Sequence, residues 1–195
     1  MLAAAILAAG ESRRMGQPKA LLPYRGATFV HHLMEITRDP RIGVQVVVLG
    51  AGAEEIRAQL SLPGEQILVN TEWRRGQLSS IQAAIRGLPP NATEGIVVIP
   101  VDHPLISVHL IDELIQAFTG SRKAIVMPVH AGRRGHPVIF RASLYDELLA
   151  ASDAVGARQV VRAHPADVEE VATEEEGVLL NLNDPETLQR ALGKS

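Results

Sequence analysis

Short apolar runs alternate with amphipathic segments along most of this chain. Residues 44–49 (VQVVVL) and 95–100 (GIVVIP) have the length and apolar character typical of strands that are buried on both faces of a sheet. Behind Thr28, a good helix-capping residue, Phe29, Leu33 and Ile36 recur at helical spacing. The hydrophobic pattern therefore predicts strands that alternate with helices.

The same pattern assigns the remaining segments. Strands are predicted at the apolar N-terminal run (residues 5–9) and at residues 44–49, 66–69, 95–100, 123–128 and 138–140. Helices are predicted at residues 28–38, 55–60, 78–86, 107–118, 143–151 and 156–164, and from Pro185 onward. The carboxylate-rich residues 168–177 are expected to form a solvated face or an edge strand.

This alternation runs from end to end without a linker or a break in composition. We therefore predict an α/β fold in which residues 1–195 form a single domain. Its expected architecture is three-layered, with helices on both faces of a mainly parallel, mixed, Rossmann-like sheet. A ligand should bind outside the carboxyl ends of the strands.

Composition and charge narrow the classes of protein that fit. The 195 residues are 46% hydrophobic and only 3% aromatic, with a net charge of -3, which argues against a nucleic-acid platform. The absence of cysteine excludes disulfides, thiolate catalysis and cysteine-bound zinc. No apolar run is long enough to span a membrane, and the N-terminus lacks the basic stretch of a signal peptide. We expect a cytoplasmic protein that binds neither nucleic acid nor membranes.

The most distinctive segment follows the first predicted strand, which breaks at Gly10. The polar loop beyond it contains Ser12, Arg13, Arg14, Gly16 and Lys19. Backbone N–H groups and cations at the end of a buried strand are typical of an anion site, although an ordinary loop with solvated arginines has the same composition. The glycine spacing and Ala20 after Lys19 exclude a G-x-x-x-x-G-K-[ST] P-loop, and the G-x-G-x-x-G dinucleotide fingerprint is absent.

Other candidate residues stand at the ends of later strands. Arginine pairs at residues 13–14, 74–75 and 133–134 each lie in a predicted strand-exit loop, so they should gather positive charge for a polyanion at one edge of the sheet. Asp102, at the tip of the 95–100 strand, fits either a helix cap or a ligand of Mg²⁺, which needs only one or two carboxylates. Ser79 and Ser80 fit either a cap of the following helix or a ligand contact.

The first loop matches the signature L-A-A-G-x-S-x-R-M-G-x-P-K almost letter for letter. The chain thereby resembles the MobA-like NTP transferase family, the molybdenum-cofactor nucleotidyltransferases, over nearly its whole length. The resemblance implies a sheet of the nucleotide-diphospho-sugar transferase (GT-A-like) type and catalytic roles for Arg14, Lys19 and Asp102. It also implies nucleotide contacts by residues of the first strand and loop and of a second loop, G-x-x-S-S. These residues are Leu7, Ala8, Ala9, Gly10, Ser12, Arg13 and Gly16 in the first segment, and Gly76, Ser79 and Ser80 in the second.

Two later elements resemble the family's metal site. They are the D-x-P-L element that begins at Asp102 and the NLNDPE turn of residues 181–186. The resemblance implies that Asp102 and Asn183 hold Mg²⁺. Because Asn181 and Asn183 replace the aspartates usual in the cytidylyl branch, we expect weaker metal binding.

The resemblance also implies an acceptor site. The G-x-x-G-x-P loop of residues 132–137 and a G-A-R element assign acceptor contacts to Arg134, Gly135, His136, Gly156 and Arg158. The implied acceptor is phosphorylated, such as molybdopterin. Ala9 and Pro18 favour the cytidylyl branch, because the guanylyl branch generally has glycine and aspartate at these positions.

The implied reaction is nucleotidyl transfer, with CTP favoured as the donor of CMP and with release of pyrophosphate. An acceptor phosphate is already ionised at neutral pH, so positioning and charge neutralisation can carry the catalysis without a strong base. Two alternatives stay open. One is a guanylyl- or sugar-phosphate nucleotidyltransferase. The other is a non-catalytic nucleotide-binding factor for the maturation of a molybdoenzyme, whose apo form would then be a partner.

Overall fold

The computed structural model describes the backbone of residues 1–192 and the side chains of residues 1–191. In chain order the strands and helices are β1 (Leu2–Ala8), β2 (Pro23–Tyr24), β3 (Ala27–Thr28), α1 (Phe29–Ile36), β4 (Ile42–Leu49), α2 (Ala53–Gln59), β5 (Ile67–Val69), α3 (Gln77–Gly87), β6 (Gly95–Pro100), α4 (Val108–Gly120), β7 (Ile125–His130), β8 (Arg133–Arg134), β9 (Val138–Arg141), α5 (Tyr145–Ala150), α6 (Arg158–Ala163), β10 (Val168–Ala172) and α7 (Pro185–Leu192). Short 3-10 turns, among them Arg13–Met15, Lys19–Leu21 and Trp73–Arg75, lie between them.

The main sheet has the strand order β10-β7-β9-β6-β1-β4-β5, with β8 paired to β7. Strands β4, β1 and β6 run parallel to one another, as do β4 with β5 and β7 with β10, whereas β9 is antiparallel to both β6 and β7. The predicted mixed, mainly parallel sheet is therefore confirmed. The small β2–β3 hairpin outside it was not predicted.

Helices cover both faces of the sheet, as predicted. All seven residues of β1 are buried, and alternate side chains enter two different cores. Ile6 packs in the core that includes α1, α2 and α4, whereas Leu7 packs in the core that includes α3, α5 and α6. Burial on both faces explains why the strands are continuous apolar runs.

Local capping sets the starts of two helices where the sequence predicted them. The Thr28 hydroxyl accepts a hydrogen bond from the His31 N–H (3.2 Å), and the Ser107 hydroxyl accepts one from the Leu110 N–H (3.1 Å). The carboxylate-rich segment forms the edge strand β10, one of its two predicted forms. Within residues 1–192, no helix combines the length and the hydropathy that a membrane crossing requires.

The strand order creates a crevice between β1 and β6. The chain leaves β1 toward β4 and β5 on one side and returns to β6 on the other, which makes this pair the topological switch point of the sheet. Leu7 is in register with Pro100, and the Val101 N–H donates to the Leu7 carbonyl oxygen (3.0 Å). The loops that follow β1 and β6 therefore begin side by side.

Candidate active site

A cavity of about 220 Å³ opens at the carboxyl ends of β1 and β6. Nine of the residues predicted to bind nucleotide or to act in catalysis line it: Leu7, Ala8, Ala9, Gly10, Ser12, Lys19, Gly76, Ser80 and Asp102. The switch point thus brings together residues that are far apart in the chain, at the place where α/β sheets bind ligands.

The loop after β1 is held in shape by its own hydrogen bonds and by one buried side chain. Ser12 has a left-handed backbone (φ 54°), and its hydroxyl accepts a hydrogen bond from the Lys19 N–H (3.0 Å). Met15 is buried in the core beneath the loop. Anchored at both points, the loop fixes the backbone of Lys19 at the edge of the cavity.

The ammonium group of Lys19 is hydrogen-bonded to two side-chain oxygen atoms at this cavity. The Lys19 Nζ atom donates to Asp102 Oδ2 (3.1 Å) and to Asn183 Oδ1 (2.6 Å). The Lys19 and Asp102 side chains are only 16% and 19% exposed, so solvent screens this pair less than a surface pair. Residues from three distant parts of the sequence therefore meet at one point.

The approach of Asn183 depends on the packing of the turn that carries it. The Leu182 side chain is fully buried, and the Leu182 N–H donates to the Asp102 carbonyl oxygen (2.8 Å). The Asp184 carboxylate caps α7 by accepting from the Thr187 N–H (2.8 Å), and this hydrogen bond lowers the pKa of Asp184. Asn181 instead interacts with His103, so of the two asparagines only Asn183 contacts Lys19.

The oxygen atoms around Lys19 fit a hard divalent cation. Magnesium commonly takes one or two protein oxygens and completes its shell with phosphate oxygens and water. Asp102 and Asn183 offer one carboxylate and one amide oxygen. Among the described residues, no cluster of three or more histidine, aspartate or glutamate side chains is placed to hold a metal ion. A metal ion at Asp102 and Asn183 would therefore need phosphate oxygens or water as further ligands.

Several residues predicted to bind nucleotide, and Arg14, which was predicted to be catalytic, do not line this cavity. Arg14 is exposed, Arg13 is paired with Glu11, and neither they nor Gly16 line the cavity. Ser79 is buried; its hydroxyl donates to the Gly76 carbonyl oxygen (2.7 Å) and accepts from the Asn70 side-chain amide (2.8 Å). It does not cap α3, which begins without a side-chain cap.

The arginine pairs are less free to bind a polyanion than the sequence suggested. Arg75 forms ion pairs with Glu72 (2.6 Å) and Asp153 (2.7 Å), while Arg134 pairs with Glu170 (2.7 Å). Arg13 is likewise paired with Glu11, so one arginine of each pair is bound to a carboxylate. Of the cations among the described residues, only Lys19 lines the 220 Å³ cavity.

A second cavity, of about 500 Å³, holds the predicted acceptor residues. Arg134, Gly135, His136, Gly156 and Arg158 all line it. Apolar side chains from α3, β7 and β9 form much of the remaining wall. Gln77, at the start of α3, lines both cavities, so the two adjoin.

Sequence reasoning missed several residues at the first cavity. Trp73, the single tryptophan of the chain, lines it together with Ile56 and Gln77, and the Arg74 guanidinium stacks on the indole (4.4 Å from the ring centroid). One signal was available in the sequence: Trp73 stands three residues before Gly76, the glycine that begins the predicted G-x-x-S-S loop.

Gly50 allows three loops to meet above the sheet. A Cβ atom at this position would lie 2.6 Å from the Ala9 carbonyl oxygen and 2.7 Å from the Trp73 Cβ atom. Because backbone cannot yield as a flexible side chain does, Gly50→Ala is expected to lower the free energy of unfolding by about 1–3 kcal/mol in denaturant titrations. Gly120→Ala is the matched control, since nothing lies within 4 Å of its Cβ position. Equal stability of the two variants would contradict this explanation.

Two neighbouring histidines lie close to the cavities: His103 is buried next to Asp102, and half-buried His136 lines the 500 Å³ cavity. The rings of His103 and His136 are 4.9 Å apart between centroids. Burial lowers the pKa of His103, and burial together with the neighbouring His103 lowers the pKa of His136 from 6.5 to about 4. Asp102 opposes this shift for both rings, whereas Arg158 adds to it for His136.

These pKa shifts predict how stability depends on pH. The unfolded state takes up protons on its histidines near pH 6.5, whereas folded His136 stays neutral down to about pH 4. Its contribution is therefore complete above pH 6.5 and is lost as the pH falls toward 4, by about 3 kcal/mol in total. His136→Asn should flatten the unfolding free energy over this range, measured by denaturant titration at several pH values. An unchanged slope would contradict the assignment.

Comparison with known proteins shows the family to which this chain belongs. The family model described as MobA-like NTP transferase domain matches residues 4–168. Nicotine blue oxidoreductase of Paenarthrobacter nicotinovorans is 32% identical, covering 96% of this chain and 94% of that protein. Molybdenum cofactor guanylyltransferase of Cereibacter sphaeroides is 32% identical, covering 95% of this chain and 93% of that protein. The family predicted from the first loop is thereby confirmed.

A solved structure matches the whole chain. Rv0371c of Mycobacterium tuberculosis H37Rv, in complex with manganese, has a TM-score of 0.81 and 25% sequence identity, covering 100% of this chain and 99% of that chain. The fold of this chain is therefore shared with a protein that was crystallised in complex with manganese.

Proposed function

We propose, since this chain belongs to the MobA-like NTP transferase family, that it transfers a nucleoside monophosphate from a nucleoside triphosphate to a phosphorylated acceptor and releases pyrophosphate. The observation that carries the proposal is the contact of Lys19 with Asp102 and Asn183 at the switch-point cavity. Next to it lies a second cavity lined by all five predicted acceptor residues. One cavity suits the triphosphate and the other suits the acceptor.

In this mechanism an oxygen of the acceptor phosphate attacks the α-phosphorus of the triphosphate. A new P–O bond forms, the α–β bridging P–O bond breaks, and pyrophosphate leaves with the electron pair, so no proton has to be removed from the nucleophile. The ammonium group of Lys19 neutralises charge on the phosphates, and the loop after Gly10 offers backbone N–H groups to them. A divalent metal held by Asp102 and Asn183 would supply further neutralisation of phosphate charge.

We propose molybdopterin as the acceptor and GTP as the nucleotide. The name of the Cereibacter sphaeroides relative supports the guanylyl alternative over the cytidylyl preference that Ala9 and Pro18 suggested. Mg²⁺ is the proposed metal, and the manganese complex of Rv0371c supports divalent-metal binding in this fold. A few contacts to the base decide between GTP and CTP, so direct measurement must separate them.

The test is release of pyrophosphate from each of the four triphosphates, with Mg²⁺ or Mn²⁺ and with molybdopterin. We expect turnover with GTP to exceed turnover with CTP, and none without acceptor. Preference for CTP would restore the cytidylyl interpretation. Calorimetric binding of nucleotide without any turnover would instead support the non-catalytic maturation factor.

A second candidate function is oxidoreduction. One observation favours it: a relative that matches 96% of the chain is named nicotine blue oxidoreductase. The 500 Å³ cavity, with its apolar walls, is large enough for an aromatic substrate. Protein-dependent reduction of nicotine blue by an added hydride donor, lost in an Ala154→Trp variant whose ring would narrow this cavity from an exposed position, would support this candidate.

A further inference from the structure

Both oxygen atoms proposed to bind the metal are already bound to a cation within the protein. Lys19 Nζ is 3.1 Å from Asp102 Oδ2 and 2.6 Å from Asn183 Oδ1. The Lys19 and Asp102 side chains are both more than four-fifths buried, so the contact is not one of the loose pairs of a protein surface. The ammonium group therefore stands where a cation shared by these two oxygens would stand.

An ammonium group and a divalent ion cannot both occupy this position. A magnesium or calcium ion binds its oxygen ligands at about 2.0–2.6 Å, so it would lie within the space that the ammonium group fills. Like charges at such short distance repel strongly in a partly buried site. Occupation by a metal ion thus requires the Lys19 side chain to move.

The local structure allows that movement without disturbing the fold. The Lys19 backbone is fixed by the Ser12 hydroxyl, which accepts from its N–H (3.0 Å). Its side chain has a flexible four-carbon stem and lines the 220 Å³ cavity that begins at Gly10. A rotation about the stem would carry the ammonium group away from Asp102 toward the Gly10 side of the same cavity, where a bound polyphosphate would offer more negative charge than one carboxylate.

We propose that Lys19 serves as an internal counter-ion that keeps Asp102 and Asn183 closed to metal until a polyphosphate draws its ammonium group away. Metal and triphosphate then bind with positive coupling, since each favours the same position of Lys19. The identity of the polyphosphate rests on the proposed function, whereas the competition between ammonium and metal rests only on the contact itself. The device keeps the metal site closed to free divalent ions.

The first test measures Mn²⁺ binding without nucleotide, by the loss of the free-ion electron paramagnetic resonance signal. Lys19→Met removes the ammonium group and keeps most of the stem, and we expect it to bind Mn²⁺ at least about 10-fold more tightly than the unmodified protein. Asp102→Asn in the Lys19→Met background should abolish the gain. Arg14→Met is the charge-matched control. It removes a cation that acts on the carboxylate of Asp184, the neighbour of Asn183, whereas the two oxygens are bound by Lys19. We expect a change of less than about 2-fold.

Two results of this titration would overturn the proposal. One is equal or weaker Mn²⁺ binding by Lys19→Met than by the unmodified protein, with a cooperative unfolding transition showing that the variant is folded. The other is an equal gain in Arg14→Met, because the effect would then be that of net charge alone.

A second test observes Lys19 in the unmodified protein. The chain has only three lysines, Lys19, Lys123 and Lys194, so a protein labelled with ¹⁵N-lysine gives a simple spectrum in which Lys19→Met identifies one side-chain signal. In the absence of Mn²⁺, we expect tripolyphosphate added together with Mg²⁺ to shift the Lys19 signal. Mg²⁺ alone at the same concentration should leave the signal unchanged. A shift with Mg²⁺ alone would overturn the proposal.

These tests are independent of catalysis. If no triphosphate yields pyrophosphate but Lys19→Met binds Mn²⁺ more tightly, the proposed function fails and the inference stands. If transfer of GMP occurs but Lys19 does not compete with the metal, only the inference fails.

Discussion

Replacing Asp102 with asparagine is expected to lower kcat for nucleotidyl transfer by about 1000-fold. Asparagine keeps the shape of the side chain and one oxygen, but it removes the negative charge that faces Lys19 and any bound metal. The backbone role of this residue, in which its carbonyl oxygen accepts from the Leu182 N–H, is unaffected by the change. The fold should therefore persist, and the loss should appear in pyrophosphate release at saturating nucleotide.

Asp146→Asn provides the matched control for this prediction. Asp146 is an exposed aspartate in the first turn of α5 and lines neither cavity. Its replacement should leave kcat within about 2-fold, since surface substitutions away from a site change little. If Asp102→Asn retained a tenth or more of the activity of the unmodified protein, the catalytic site would have to lie elsewhere.

Replacing Lys19 with methionine is expected to lower kcat/KM for the triphosphate by about 100- to 1000-fold. Among the described residues, Lys19 is the one cation that lines the 220 Å³ cavity proposed for the triphosphate, and methionine retains the apolar stem without the charge. The same variant should bind Mn²⁺ more tightly, but we do not expect this to restore activity. The phosphates lose their contact with the ammonium group of Lys19, which the metal ion does not replace. Initial rates over a range of triphosphate concentrations measure the effect.

Lys123→Met is the control for lysine removal, because its ammonium group donates to the Ala166 carbonyl oxygen, outside both cavities. The variant with both Lys19→Met and Asp102→Asn adds a sharper criterion. Residues in direct contact act together, so the double variant should lose little more activity than Asp102→Asn alone. Fully multiplicative losses would mean that Lys19 and Asp102 contribute through separate parts of the site.

Local sequence patterns predicted a large part of this molecule. The apolar runs located β1, β4 and β6, because a strand covered by helices on both faces can hardly carry polar side chains. The first loop predicted the family by its residues alone, and the switch-point rule predicted which edge of the sheet would hold a site. Lys19 and Asp102 were both expected there, and they lie 3.1 Å apart.

Tertiary structure alone decided which charges are free. The arginine pairs look alike in the sequence, yet Arg75 is compensated by Asp153, a residue 78 positions later, and Arg134 by Glu170. No local pattern reveals such partners, because they depend on how distant loops are brought together. The same reason hid the position of Trp73 in the cavity wall and the antiparallel insertion of β9 between β6 and β7.

The sequence by itself therefore determined most of the elements, the family and several of the residues at the sheet edge, since each of these follows from short-range periodicity or from a short motif. The contact of Lys19 with Asp102 and Asn183 was decided only by the folded chain. It joins residues separated by up to 164 positions, and it exists because Leu182 is buried where its N–H reaches the Asp102 carbonyl oxygen.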